Sequence, residues 1–288
     1  MVRLKLALEL NYEVFGAPAD FIFNIHAART RQQTVVAEEL FISQPVDSQV
    51  YTVAESNNRY LRMTAGPGAL TVRYTATVDI AHTVNPSDDV PEVPIRFLPP
   101  QALAYIYPSR YCQSDRLFRL AIREFGNLPM GFGRVRAIRD WVSTRIAFTS
   151  NSSNATTSAI DTLIDQAGVC RDFAHLMIAL CRAVNIPARF ATGIDYGADP
   201  ALGPTDFHAY VEAFLGGRWY MFDPSGTAIP MGFVRFGTGR DAADVAFATI
   251  FGSVASQAPL ITVEAVEDAA AGLVMPRHRA EALSTDAA

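Results

Sequence analysis

The chain has 288 residues, 50% of them hydrophobic, a formal net charge of −5 and three cysteines. That length and apolar content allow a sizeable core divided over two domains. The acidic balance, without any run of lysines or arginines, excludes the electrostatic footprint of a nucleic-acid or anionic-lipid binder, and three cysteines exclude a disulfide framework. No stretch approaches the roughly 18 uninterrupted apolar residues of a membrane span, so no membrane partner is expected and a reducing cytoplasm is the expected location.

The opening MVRLKLALEL could pass for a secretory signal until it is read by alternation: Val2, Leu4, Leu6, Leu8 and Leu10 face one way, Arg3, Lys5, Ala7 and Glu9 the other. That is a half-buried strand. Period two continues through Phe21, Phe23 and Ile25 and the stretches 34–42, 51–53, 60–63 and 71–80, with turn signals at Gly16, Pro45, Asn57 and Gly66. Residues 1–97 are therefore expected to form an antiparallel, sandwich-like β domain. Pro86, Pro91, Pro94, Pro99 and Pro100 then mark an extended connector. Beyond it the period becomes helical at 116–125, 133–146 and 158–166, the second carrying Val135, Ile138, Trp141, Val142 and Ile146 in one stripe. Strands are expected at 188–194, Phe207–Leu215 and Arg218–Phe222, a Gly-, Pro- and Asp-rich loop at 195–206, and an edge strand at 259–266. The organisation is α+β, with a second domain over 98–268 and a weakly ordered tail at 269–288.

Chemistry concentrates in residues 168–186, GVCRDFAHLMIALCRAVNI. Phe173, Leu176, Met177, Leu180, Ala183 and Val184 recur at helical intervals with Arg171, Asp172 and Arg182 off the stripe, which predicts a buried helix with one edge in water. Gly168 precedes the run and Pro187 closes it, so Cys170 falls in the first turn, where unpaired N–H groups and the positive end of the macrodipole converge. The thiolate is the reactive form of cysteine, and a helix start favours it.

His208 and Asp223 can be placed relative to each other from the chain alone. Gly216 and Gly217, between FHAYVEAFL and RWYMFDP, signal a hairpin. Pairing Leu215 with Arg218 sets Phe214 opposite Trp219, Glu212 opposite Met221 and Tyr210 opposite Asp223, which makes Asp223 the diagonal neighbour of His208, about 7–8 Å away at the backbone and within side-chain reach. A bulge or a loop of odd length would shift this register. The other face, with Phe207, Ala209, Val211, Ala213, Tyr220 and Phe222, is the apolar, packed one. A thiol at a helix start followed by a His and an Asp on paired strands has the logic of nucleophilic acyl transfer: Cys170 attacks, His208 carries the proton, Asp223 orients the imidazole, and the Cys170 N–H is the natural oxyanion donor.

On GVCRDFAHLMIALCRAVNIPARFATG, FHAYVEAFLGGRWYMFDPSG and, more weakly, GRDAADVAFATIFG, the chain resembles the transglutaminase-like superfamily, of papain-like architecture, and within it the bacterial branch with an extra N-terminal β domain. The resemblance covers roughly residues 101–266 and places Cys170, His208 and Asp223 at the catalytic positions, with Asp172 and His175 at positions that accompany the nucleophile. Tyr210 stands where a Trp commonly follows the His, and the loop at 195–206 lacks a family pattern. The family includes crosslinking enzymes, peptidases, amidases and members without catalysis. What the resemblance implies is a thiol-dependent amide hydrolase acting on peptide or protein through a thioester, with transfer to an amine and a non-catalytic binding scaffold as the alternatives. No acidic loop of EF-hand spacing is present, which disfavours a calcium-controlled crosslinker.

Neither cofactor nor metal is expected: Cys170, His175, His208 and Asp223 can be drawn as a cluster, yet no Cys or His spacing matches a zinc pattern. Cys181 reads as core and Cys112 as incidental; His175 reads as a satisfied structural histidine that supports the site, and Asp172 as a first-turn carboxylate that suits the helix dipole or helps to organise the site.

Overall fold

The computed structural model describes residues 1–197, 201 and 205–287, so much of the loop expected at 195–206 lies outside the described residues. The N-terminal part contains β1 (Val2–Val14), β2 (Ala19–Phe23), β3 (Gln33–Ile42), β4 (Ser48–Thr52), β5 (Arg59–Ala65), β6 (Gly68–Ile80) and β7 (Thr83–Asn85). The alternation read from the sequence is what buries β1: every even-numbered residue from Val2 to Val14 lies in the core, at most 6% exposed. These side chains meet Leu70, Val72, Tyr74 and Val78 of β6 and Phe21, Phe23, Leu61 and Met63 of the facing sheet. Two antiparallel sheets thus enclose one apolar layer.

The second part contains α1 (Pro100–Leu103), α2 (Ser114–Phe125), α3 (Phe132–Arg145), β8 (Ala147–Phe148), α4 (Ala159–Asp165), β9 (Ala167–Gly168), α5 (Cys170–Ala183), β10 (Ala188–Asp195), β11 (Phe207–Leu215), β12 (Arg218–Phe222) and β13 (Phe233–Gly239). Leu176, Met177, Ile178 and Leu180 of α5 are fully buried, each side chain contributing about 1.5–3 kcal/mol by leaving water. They pack on Ala209, Val211, Ala213, Tyr220 and Phe222, the sheet face assigned to packing from sequence. The opposite face is covered as well: Ala191, Tyr210, Met221, Phe233 and Phe236 share the apolar cluster of the sandwich. The sheet ordered β13-β10-β11-β12 and extended by β18 (Asp286–Ala287) is therefore clamped between a helix and the N-terminal domain.

Four features differ from the sequence reading. First, α5 has no wet edge along residues 172–183. Arg182 is 2% exposed and donates to the carbonyl oxygens of Ala188 (3.0 and 2.8 Å), Tyr107 (3.1 Å) and Arg240 (2.5 Å) and to Ser109 Oγ (3.0 Å). A planar fork of donors lets one cation satisfy several loop carbonyls in the interior, which helical periodicity does not reveal. Second, β13 was not expected; its short apolar run is broken by Gly237 and Gly239. Third, β14 (Ala248–Phe251), β15 (Val254–Ser256) and β16 (Leu260–Val266), grouped by sequence with 98–268, return to the sandwich and pair with β2 and β1. Fourth, of the tail expected at 269–288, the described residues to 287 are held: β17 (Ala282–Ser284) pairs with β7, and Asp286 enters an ion-pair cluster with Arg189 and Arg235. The Pro-rich connector is likewise packed, with Val90 buried and Glu92 paired to Arg134.

Candidate active site

The start of α5 is built by Asp172. Its Oδ2 accepts the Val169 N–H at 2.9 Å, so a carboxylate on the third residue of the helix closes the end that the apolar Val169 side chain cannot cap. Its Oδ1 accepts from Arg171, whose Nη2 also reaches Ser153 Oγ and the Asn154 carbonyl at 3.1 and 2.8 Å. Gly168 must lack a side chain here, because a Cβ would stand 2.8 Å from that of Asp172. Cys170 is the first residue of this helix and is half-buried, with Sγ 3.9 Å from the carbonyl oxygen of Phe207, the residue before His208. Cys112 and Cys181 are fully buried, and burial pushes the Cys112 thiol up to about 12 and Cys181 higher still.

The hairpin register is the one derived from the chain: Leu215 pairs with Arg218, Phe214 with Trp219 and Glu212 with Met221. Continued, it brings Asp223 Oδ1 to 3.5 Å from His208 Nε2. On the other side of the ring, His208 Nδ1 lies 3.6 Å from Oδ2 of Asp195, the last residue of β10. Both separations are wider than a formed hydrogen bond, and unliganded sites commonly tighten on binding. Asp195, His208 and Asp223 are 2%, 8% and 5% exposed, so this is an imidazole between two interior carboxylates.

Burial alone would disfavour the charged ring, but Asp195, the Cys170 sulfur and Asp223 outweigh it and hold His208 well above the usual histidine range. Burial also works against ionised Asp223, yet His208, the Ser225 hydroxyl and N–H and the Ala228 N–H hold it below the usual carboxylate range. Asp195 has less support. Burial pushes it up to about 7, with His208 opposing, the Asp223 charge adding, and the Tyr210 hydroxyl donating to Oδ1 at 2.9 Å.

The structure brings Cys170, His208 and Asp223 to one locality, with Asp172 holding the helix end beneath Cys170. His175 is placed elsewhere. It is fully buried, stacked on Tyr111 at 5.0 Å, and its Nε2 accepts the Ala242 N–H at 3.2 Å, while burial holds it neutral, well below its usual range. It secures the segment after β13. Asp195 is the residue that sequence reasoning missed. The diagonal rule that found Asp223 also finds Asp195, because Gly193 lies opposite His208 and Asp195 two residues further along the same face. β10 ends at Asp195 and β11 begins at Phe207, a separation too long in sequence to fix their register, so the chain alone does not yield it.

Two family models match: the bacterial transglutaminase N-terminal domain over residues 2–101 and the transglutaminase-like superfamily over residues 121–224. Among solved structures, a candidate cysteine protease from Cytophaga hutchinsonii is 37% identical, with 98% of this chain and 97% of that one covered at a TM-score of 0.91. The chain belongs to the transglutaminase-like superfamily. Curated relatives include an uncharacterized protein of Mycobacterium leprae, 32% identical over 117 residues, or 39% of this chain and 42% of that one. A second, from Mycobacterium tuberculosis, is 31% identical over 125 residues, or 38% of this chain and 40% of that one. The match thus spans about two fifths of the length of these curated relatives.

Proposed function

We propose that the chain is a thiol-dependent hydrolase of amide bonds in peptides or proteins, with Cys170 as nucleophile, His208 as proton carrier and Asp223 as its orienting partner. One observation carries the reading: of three thiols only Cys170 is not buried, and it heads α5 beside the residue that precedes His208. The 37% identical relative that matches along nearly its whole length, described as a candidate cysteine protease, supports hydrolysis. Bulk water is always available to a thioester, whereas an amine acceptor needs a second binding surface.

His208 takes the Sγ–H proton and the sulfur attacks the carbonyl carbon. The oxyanion forms against the N–H groups at the start of α5. When the C–N bond breaks, His208 returns the proton to the departing amine and a thioester remains. Water then attacks, giving its proton to His208, and the C–S bond breaks to release the acid and restore the thiol. The Asp223 carboxylate keeps a proton on Nε2 throughout, so Nδ1 is the nitrogen that cycles.

The test is intact-protein mass spectrometry with glutamine-containing peptides, with and without a primary amine, alongside iodoacetamide labelling. Cys170→Ala should abolish labelling near neutral pH and His208→Ala should slow it strongly. Equal labelling rates in wild type and His208→Ala would sink the activated pair. Amine incorporation at the expense of acid would convert the assignment to a protein-glutamine acyltransferase, and an accessible thiol that never forms an acyl adduct would point to a partner-binding scaffold.

A further inference from the structure

Asp195 is the group beside His208 that this mechanism leaves unused. Among the described residues its Oδ2 is buried and accepts no hydrogen bond, although it stands 3.6 Å from His208 Nδ1. A buried carboxylate oxygen without a donor is costly. Among the described residues the only cation within ion-pairing distance is the His208 ring, when protonated. The other groups around it are settled. Tyr210, on β11, donates to Oδ1; Asp223, beyond β12, contributes negative charge; and β13 presents Phe233, which is uncharged, opposite Asp195. Cys170 acts on His208 from the start of α5.

We infer that Asp195 is a positioning residue for His208: its ionised carboxylate receives the Nδ1–H formed when the ring takes the Cys170 proton, and so favours the thiolate–imidazolium pair over the neutral one. The inference rests on Cys170 and His208 being the working pair. In that step one S–H bond breaks and one N–H bond forms, and nothing else is exchanged. Asp223 and Asp195 then occupy the two ends of one ring, the first permanently charged and the second changing charge near neutrality, since burial brings its carboxyl up to about 7. Formation of the reactive pair is therefore coupled to ionisation of a residue that touches neither sulfur nor substrate carbonyl.

The test is the pH profile of Cys170 alkylation by iodoacetamide, a neutral reagent. Asn is the isostere of protonated Asp, so Asp195→Asn should match wild type at about pH 5.5 and fall about tenfold behind it at about pH 8. Tyr210→Phe removes the donor that stabilises ionised Asp195 and should move the wild-type rise to higher pH. A constant ratio between Asp195→Asn and wild type at every pH is the signature of a merely structural residue and overturns the inference. If Asp195→Asn does not fold, the Tyr210→Phe profile decides, and superposition on wild type overturns it. His208→Ala separates the two levels: if it alkylates as fast as wild type, the Cys–His pair itself fails, whereas slow His208→Ala with an unshifted Asp195→Asn profile removes only the role of Asp195.

Discussion

The side-chain amide of Gln33 and the backbone of Arg235 exchange two hydrogen bonds: Gln33 Nε2 donates to the Arg235 carbonyl at 2.8 Å, and the Arg235 N–H donates to Gln33 Oε1 at 2.9 Å. Asn58 repeats the arrangement on Thr238 at 2.8 Å in both directions. Two sandwich amides thus stand in for the missing neighbour strand along the free edge of β13, which would otherwise carry unpaired N–H and C=O groups into the domain interface. Gln33→Leu strands the Arg235 N–H and should cost about 1–3 kcal/mol in urea unfolding. The Gln33→Leu/Asn58→Leu pair should expose the β13 amides to hydrogen exchange before the rest of the sheet. Exchange that stays uniform across the sheet would count against this interface role.

Asp172 is a helix cap with a functional dependent. Removing the carboxylate in Asp172→Ala frees the Val169 N–H and should destabilise the chain by about 1 kcal/mol. The same variant should slow alkylation of Cys170 by loosening the first turn. Asn keeps an acceptor oxygen, so Asp172→Asn should restore most of both. Alkylation of Asp172→Ala at the wild-type rate would show that the turn holds without its cap.

The C-terminal segment contributes a charge to the interior. Asp286 Oδ2 accepts from Arg189 Nη2 at 2.5 Å and Arg235 Nη1 at 3.1 Å, and Glu212 bonds the same two guanidiniums. Asp286→Asn leaves two buried arginines facing one carboxylate. Because the Asp286 side chain is 21% exposed, the expected loss is below the roughly 3–5 kcal/mol of a fully buried pair, about 2 kcal/mol. Truncation after Glu281 should cost more, since it also removes β17. An unchanged urea midpoint for Asp286→Asn would refute the structural role given to this segment.

His26 sets a pH dependence of stability. Burial against the Tyr74 ring, 4.7 Å between centroids, with Arg59 adding and Glu38 opposing, pushes its pKa down to about 4. The folded value lies below the unfolded one near 6.5, so its contribution is complete above about pH 6.5 and is lost as the pH falls toward 4. The difference in unfolding free energy between wild type and His26→Gln should therefore shift by about 2 kcal/mol between about pH 7 and about pH 4.5. A difference that stays constant over that interval would assign the acid sensitivity elsewhere. His82, lowered to about 4 mainly by burial, acts in the same direction. Asp195, raised to about 7, acts in the opposite one, which is why the comparison is made on single variants.

Local periodicity and turn chemistry carried much of this molecule. Alternation in β1, the helical stripe of α5 and the Gly216-Gly217 hairpin are short-range patterns, and they were enough to place Cys170 at a helix start and Asp223 diagonal to His208. Family motifs around Cys170 and His208 then named the chemistry. Where contacts join residues far apart in the chain, the pattern was silent. Arg182 read as a solvent-facing charge because its acceptors lie at the start of β10 and in the loops that hold Tyr107, Ser109 and Arg240, and β13 carries little local signal because its short apolar run is broken by Gly237 and Gly239 while Gln33 and Asn58 complete its edge.

The sequence by itself determined which side chains alternate, which helix begins with a thiol and which turn sets the register of β11 on β12, because each depends on residues a few positions apart. Only the tertiary structure decided that β10 slides beside β11 with Asp195 against His208, that the 248–266 strands return to the sandwich, and that Asp286 joins Glu212 in neutralising Arg189 and Arg235. Those placements are settled by burial and charge balance summed over the whole fold, quantities that no local stretch of chain contains.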